Sequence, residues 1–151
     1  MQAKLNYGLK RFFTRIVLHI AADSYLINYR VRRFLYRLAG VNIGKNVFIG
    51  TNCYFDELNL KGIYLDDNSF VTRGCVILSH FSNSDDGSFE LGNVHLSKGA
   101  FLGVNSIITK PVCIGKNSIV GAGSIVTKDI PDNVIAAGNP CKVIKSREVK
   151  S

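Results

Sequence analysis

Aliphatic residues recur at every sixth position in the C-terminal half of this 151-residue chain. The unbroken run is Leu96, Leu102, Ile108, Ile114, Val120 and Val126. Glycine or a small polar residue follows each of them directly, and a mostly small residue stands four positions later. A period of six fits neither an α-helix nor an alternating strand, and hexapeptide repeats are typical of a parallel β-helix. We therefore predict an all-β body in which three hexapeptides form one triangular coil of about eighteen residues.

The repeat is interrupted twice before it reaches this regular run. It begins at Ile43 and shifts phase before Leu65, which fits an insertion of four residues. A second break follows His80, where residues 81–95 form a polar excursion that we predict to be a lid or wall. We expect aliphatic side chains along the axis of the prism and small residues at its corners. We also expect glycine or a small polar residue to relieve crowding at the turns, where backbone torsions are tight.

A basic segment, residues 1–40, precedes the repeat and holds +7 of the net charge of +8. Its apolar spacing predicts two amphipathic helices, over residues 5–20 and 24–38, with Gly40 as a C-cap. Two interpretations are open. The helices pack on the body or against a neighbouring subunit, or they rest on an anionic membrane surface as a peripheral contact. We favour packing. Because the charge is local, we expect no nucleic-acid partner. Residues 41–145 then form the β-helix domain, and residues 146–151 form a tail.

The four cysteines have no C-x-x-C spacing. Cys53 and Cys75 fall where the repeat requires a small interior side chain, so we predict buried free thiols. Free thiols favour a reducing compartment. We therefore expect a cytoplasmic protein without a cleavable signal sequence, located at the inner face of the membrane if its helices bind lipid.

Two C-terminal stretches resemble hexapeptide-repeat acyltransferases, whose members include galactoside and maltose O-acetyltransferases. They read IGKNSIVGAGSIVTKDIP at residues 114–131 and VIAAGNPCKVI at residues 134–144. The Asp-Glu-Leu segment at residues 56–58, with a histidine at the end of an aliphatic strand, is similar to O-acetyltransferases of polysaccharide biosynthesis. The resemblance spans residues 41–145. It implies a left-handed parallel β-helix, a homotrimer with active sites between subunits, and acetyl-CoA lying along the groove.

In this family a histidine activates the acceptor hydroxyl, and His80 is the candidate here. It ends an aliphatic strand directly before the excursion, and a neutral imidazole can take a proton from an alcohol. We expect His19 to pack in the N-terminal segment and His95 to point outward from a strand. Three histidines in three settings argue against a zinc site, so we expect no metal.

Asp56 and Glu57 are the candidates for orienting His80 or for holding the acceptor sugar. Counting residues through the four-residue insertion places position 58 about one coil below His80. A carboxylate there would fix the imidazole tautomer and stabilise the imidazolium. Related sugar acetyltransferases carry an asparagine near this position that contacts the acceptor. This chain lacks that asparagine, so the identity of its acceptor stays open. Asp56 can equally be a small polar residue of the repeat.

The resemblance also implies contacts with acetyl-CoA. Lys142 and Lys145 match arginines near the nucleotide, and lysine keeps the charge while losing the bidentate geometry. Phe101 stands where the family has tryptophan, and Val104 where it has a serine contact. The whole predicted set is Phe101, Val104, Ala122, Thr127, Lys128, Lys142 and Lys145.

The resemblance therefore predicts an acetyl-CoA-dependent O-acetyltransferase with a sugar or polysaccharide precursor as acceptor and His80 as general base. One alternative is N-acetylation of an amino sugar or another small molecule on the same fold. A different class of alternative is a non-catalytic β-helix that serves as an assembly module.

Overall fold

The structure, a computed structural model, describes residues 2–23, 25–82 and 87–148, without the side chains of residues 2–11 and 89. Residues 83–86 of the predicted excursion and 149–151 of the predicted tail lie outside this description. Two helices open the chain, α1 (Gln2–Asp23) and α2 (Tyr29–Ala39). Short strands, joined by turns, form the remainder.

The strands are β1 (Asn42–Ile43), β2 (Phe48–Ile49), β3 (Tyr54–Phe55), β4 (Ile63–Leu65), β5 (Phe70–Val71), β6 (Val76–Ile77), β7 (His80–Ser82), β8 (Phe89–Leu91), β9 (Val94–Leu96), β10 (Phe101–Leu102), β11 (Ile107–Ile108), β12 (Cys113–Ile114), β13 (Ile119–Val120), β14 (Ile125–Val126), β15 (Val134–Ala137) and β16 (Lys142–Ser146). From β1 to β14, apart from β7 and β8, successive strands belong in turn to three sheets, which form the three faces of the body. The first face contains β1, β4, β9 and β12, the second β2, β5, β10, β13, β15 and β16, and the third β3, β6, β11 and β14. The chain therefore winds around a triangular prism.

The strand register confirms both predicted interruptions. On the first face Ile43 pairs with Leu65, Leu65 with Leu96, and Leu96 with Ile114, at separations of 22, 31 and 18 residues. The last step is one regular coil. The first step holds the predicted four-residue insertion, which contains a 3-10 turn at Leu60–Gly62. The second step holds an antiparallel hairpin of β7 and β8. The part of the excursion that the structure describes is therefore largely hairpin.

The interior is packed as the repeat predicts. Axis residues such as Leu102, Ile108 and Ile114 are fully buried, and so are the small corner residues Ser106 and Ser118. Each buried aliphatic side chain contributes about 1.5–3 kcal/mol relative to exposure. Stacking of like residues from coil to coil makes one continuous core.

Glycine at the corners relieves crowding, as predicted. The left-handed backbone there is taken by asparagines such as Asn105, with φ of 57°, because asparagine tolerates this conformation. A Cβ on Gly103 would lie 2.5 Å from the backbone nitrogen of Ala122 in the next coil. A Cβ on Gly115 would lie equally close, 2.5 Å, to the backbone nitrogen of Asp132. Close approach of successive coils excludes side chains at these two positions, whereas Gly74, Gly99 and Gly123 take the left-handed conformation themselves.

The second helix covers the open end of the first coil. Arg32 is buried, and its Nε donates to the Ala21 carbonyl at 2.7 Å and its Nη1 to the Ile49 carbonyl at 3.3 Å. The hydroxyl of Tyr36 donates to the Cys53 carbonyl at 2.9 Å. The bonds to Ile49 and Cys53 satisfy carbonyls of the first coil that have no coil below them, and the bond to Ala21 ties α2 to the end of α1. The helices thus pack at least partly on the body, which is the interpretation that the sequence favoured.

The ends of the helices differ in part from the prediction. Gly40 forms the predicted C-cap, in the left-handed conformation with φ of 118°. The second helix begins later than residue 24, because the Asn28 side chain accepts hydrogen bonds from the Arg30 and Val31 N–H groups as an N-cap. Within the part of the chain that the structure describes, neither helix is long and apolar enough to cross a membrane.

Two predictions about single side chains have different outcomes. His19 does not pack in the interior of the N-terminal segment, so that prediction is wrong. Its side chain is exposed, and its Nδ1 lies 2.9 Å from Asp23 Oδ2, one helical turn away. Leu18 and Ala21 form the buried side of α1 instead. Cys53 and Cys75 are buried free thiols, as predicted.

Candidate active site

His80 lies at the corner between the third and first faces, which we call the His80 corner. The second coil ends at β6, and His80 begins β7, whose pairing with β8 projects the hairpin from this corner. After β8 the chain returns to the first face through β9. The imidazole is about one-fifth exposed, with 21% of the side chain accessible. It therefore lies at the base of the hairpin, within reach of solvent.

The carboxylate of Asp56 faces this imidazole from the coil below. Its Oδ2 lies 2.5 Å from His80 Nδ1 and accepts hydrogen bonds from the N–H of Ser79 at 2.9 Å and from its hydroxyl at 3.2 Å. Its Oδ1 accepts from the Leu58 N–H at 3.1 Å. Burial by itself would raise the pKa of this carboxyl. The hydrogen bonds from His80, Leu58 and Ser79 outweigh burial, so the pKa of Asp56 lies below its ordinary value.

The ionised Asp56 determines which nitrogen of His80 can act as a base. A carboxylate only accepts hydrogen bonds, so His80 Nδ1 must carry the hydrogen that points to it. We infer this tautomer from the hydrogen-bond partners. The lone pair of the neutral ring then lies on Nε2. A carboxylate, an oriented imidazole and a lone pair directed away from the carboxylate are the arrangement of a general base.

Glu57, the neighbouring candidate, faces the N-terminal helix. Its Oε2 lies 2.7 Å from Arg15 Nε on α1. A cleft of about 550 Å³ separates α1 from the first coil, and Asn52 and Tyr54 line it together with this ion pair. The structure therefore separates two residues that the sequence treated together, with Asp56 against the imidazole and Glu57 in the cleft.

A second histidine–carboxylate pair lies elsewhere on the prism. His95 Nε2 lies 2.9 Å from Asp66 Oδ2, and both side chains are nearly half exposed, at 44% and 43%. His95 points outward between the buried Val94 and Leu96, as predicted. The carboxylate of this pair is far more exposed than that of Asp56, which is 2% accessible.

The predicted acetyl-CoA residues lie in two separate places on one chain. Thr127 and Lys128 follow β14, so they lie at the His80 corner, further up the prism. Val104 and Ala122 lie at the corner between the second and third faces, which we call the Val104 corner. The Gly123 N–H there donates to the Val104 carbonyl at 2.8 Å and joins the two turns.

The other three predicted residues belong to the second face. Phe101 lies on β10, and its ring is 5.9 Å from that of Phe70 in the coil below. Lys142 and Lys145 are exposed on β16, which pairs with β15 at the end of that face. Within one chain the structure therefore brings Thr127 and Lys128 to the corner of His80, and leaves the other five predicted residues on the second face and at the Val104 corner.

Sequence reasoning missed three residues near His80. Ser79 donates to Asp56 through its N–H and hydroxyl, and Arg15 holds Glu57. Lys110 Nζ lies 5.7 Å from the ring centre of Phe81 in the hairpin. Of the three, only Ser79 could have been identified from the sequence. The predicted insertion places it one residue beyond the position that stacks on Asp56. Among the described residues, no group of three or more His, Cys, Asp or Glu side chains is placed to hold a metal ion.

Known proteins share both the repeat and the fold. The family model described as the hexapeptide repeat of succinyl-transferase matches residues 40–79 and 98–128, on either side of the hairpin. A galactoside O-acetyltransferase from Escherichia coli (strain K12) is 38% identical over 112 residues, which cover 68% of this chain and 55% of that protein. The chain spans about half the length of the curated relatives it matches.

Two solved structures extend this likeness to three dimensions. A maltose O-acetyltransferase from Clostridium difficile 630 has a TM-score of 0.75 and 27% identity, covering 94% of this chain and 88% of that one. An N-acyltransferase from Bacillus cereus, in complex with dTDP-4-amino-4,6-dideoxyglucose and coenzyme A, has a TM-score of 0.64 and 26% identity, covering 72% of this chain and 64% of that one. The chain belongs to the hexapeptide-repeat acyltransferase family, and its body is the left-handed parallel β-helix of that family.

Proposed function

We propose that this protein transfers the acetyl group of acetyl-CoA to a hydroxyl of a sugar or polysaccharide precursor, with His80 as general base. The observation that carries the proposal is the buried, ionised Asp56 bonded to His80 Nδ1 at the base of the hairpin. The likeness to galactoside and maltose O-acetyltransferases supports the reaction and the class of acceptor.

The residues of the site supply what hydroxyl acetylation requires. The thioester of acetyl-CoA provides the acetyl group, and an alcohol attacks it well only if its proton is removed as the new bond forms. His80 Nε2 takes that proton. Asp56 holds the ring in the required tautomer and offsets the positive charge that the imidazole gains. His80 then returns the proton to the departing sulfur, so the residue ends the cycle neutral.

The acceptor would approach from the side of α1. The cleft of about 550 Å³ between α1 and the first coil lies within the size range of small-molecule sites. In this cleft the Glu57 carboxylate can accept hydrogen bonds from a bound molecule and the Arg15 guanidinium can donate them. Tyr54 adds an aromatic surface. Polar groups around an aromatic ring suit a sugar, whose hydroxyls and C–H faces require both.

The positions of the predicted acetyl-CoA residues support a site between copies of the chain. The two places that hold the predicted acetyl-CoA residues lie on different parts of the prism. They line one groove only if the His80 corner of one copy meets the Val104 corner and second face of another. We therefore propose a homotrimer, in which Lys142 and Lys145 attract the phosphates of the donor. The free cysteines of the described residues fit a reducing compartment, so we propose a cytoplasmic location.

A screen for thiol release from acetyl-CoA tests this function. Galactosides, maltose and polysaccharide precursors with free hydroxyls are offered beside amino sugars of matched size. We expect hydroxyl acceptors to accelerate release and to yield an O-acetyl ester. Faster release with amino sugars would favour N-acetylation, which the likeness to the N-acyltransferase also supports. No binding of CoA and no release with any acceptor would favour a non-catalytic assembly module and contradict the proposal.

A further inference from the structure

The first helix exposes an apolar stripe. Phe13, Ile16 and Ile20 follow one another at helical spacing, and each is 40% or more accessible. Leu26, in the segment between the helices, is almost fully exposed, at 98%. Since α1 buries Leu18 and Ala21 on its inner side, this stripe is a second apolar surface that the protomer leaves uncovered.

The second helix turns its apolar stripe toward solvent, unlike an ordinary surface helix. Val31, Phe34 and Leu38 form its apolar stripe and are 42%, 61% and 66% accessible. Its buried side consists of Arg32 and Tyr36. A helix that only completed the core would turn its apolar stripe inward. The outward stripes of α1 and α2, with Leu26 between them, are called the helical face below.

The charge near the helical face limits which kind of partner can cover it. Residues 1–40 carry a net charge of +7 and the other 111 residues together carry +1. Arg30 is exposed on α2 and Arg33 is half-buried. A second copy pressed onto this face would set one such basic segment against another, with no surplus of acid in the rest of the chain to offset the repulsion. An anionic lipid surface offers both an apolar layer for the stripes and phosphates for the arginines.

We propose that the helical face docks on the surface of an anionic membrane, with α1 and α2 lying in the plane of the headgroups. Phe34 and Leu38 insert at the boundary between headgroups and acyl chains. Arg30 and Arg33 of α2 bind lipid phosphates. The docking does not depend on the proposed acetyl transfer, although it would bring the cleft beside α1 close to acceptors carried on lipid.

Vesicle flotation of the full chain tests the docking. The vesicles contain phosphatidylcholine alone or with an equal share of phosphatidylglycerol, at ionic strengths of about 0.05 M and about 0.5 M. We expect binding to the anionic vesicles at low salt, about tenfold weaker binding to the neutral ones, and loss of binding at high salt. The double variant Phe34→Ser with Leu38→Ser should bind about tenfold less. The matched control Ile144→Ser, at a residue that is 64% accessible on β16, should bind like the wild type.

Two results would overturn the proposal. One is absence of binding to anionic vesicles at low salt. The other is a double variant that still binds them while its oligomeric state, measured by light scattering, differs from that of the wild type. The second result would assign the helical face to a contact between copies of this chain.

Discussion

Replacing His80 with alanine is expected to lower kcat for acetyl transfer by about 10²- to 10⁴-fold, with little change in KM for acetyl-CoA. The variant lacks the group that takes the proton from the acceptor hydroxyl, while surfaces that bind the donor remain. The fold should persist, because Asp56 keeps its hydrogen bonds from Ser79 and Leu58 when the imidazole is removed. Steady-state kinetics and thermal unfolding of the two proteins measure both effects.

His95→Ala is the matched control for this variant. It removes the imidazole of the other described histidine–carboxylate pair on the prism without touching the His80 corner. We expect wild-type kinetics from it. Equal loss of activity in both variants, or an active His80→Ala enzyme, would remove His80 from the role of base.

Replacing Asp56 with asparagine is expected to lower kcat by about 10²- to 10⁴-fold as well, again with KM for acetyl-CoA nearly unchanged. The amide oxygen can take the place of Oδ1 and still accept the hydrogen bond from the Leu58 N–H. The amide NH₂ then faces His80 Nδ1 and donates to it, which leaves the ring hydrogen on Nε2. That tautomer cannot take a proton from the acceptor. Asp66→Asn is the control, and comparable loss in that variant would contradict a specific role for Asp56.

The same variant has an expected effect on stability in acid. The folded chain holds the pKa of Asp56 below its ordinary value, whereas in the unfolded chain the pKa is about 3.9. The carboxylate therefore contributes its full stabilisation above that pH and loses it as the pH falls through the lowered folded pKa. The difference in free energy of unfolding between wild type and Asp56→Asn, from urea titrations, should shrink below about pH 4. A difference that stays constant into stronger acid would contradict this assignment.

Much of the fold follows from counting along the repeat. Ile43, Leu65 and Leu96 align because each must fill the same axial position, and the insertions between them can only project outward. The same counting brought Asp56 within range of His80. It could not separate Asp56 from Glu57, because the direction of each side chain depends on the turn after β3. Arg15, which holds Glu57, lies on a helix whose docking no local pattern specifies.

The orientation of α2 shows where periodicity fails. Hydrophobic spacing places Val31, Phe34 and Leu38 inward, yet the structure buries Arg32 and Tyr36. The reason is tertiary, since the Ile49 carbonyl at the open end of the first coil and the Ala21 carbonyl on α1 need donors, and one guanidinium supplies both. A pattern of apolar residues contains no information about carbonyls that lie elsewhere in the chain.

A crystal structure of the protein with coenzyme A bound is the most direct test of the claim that His80 performs the chemistry. We expect the coenzyme thiol within about 4 Å of His80 Nε2, in a groove shared by two copies of the chain. Thr127 and Lys128 of one copy would line that groove opposite the Val104 corner of the other. A coenzyme bound elsewhere, or a thiol remote from His80, would contradict the account.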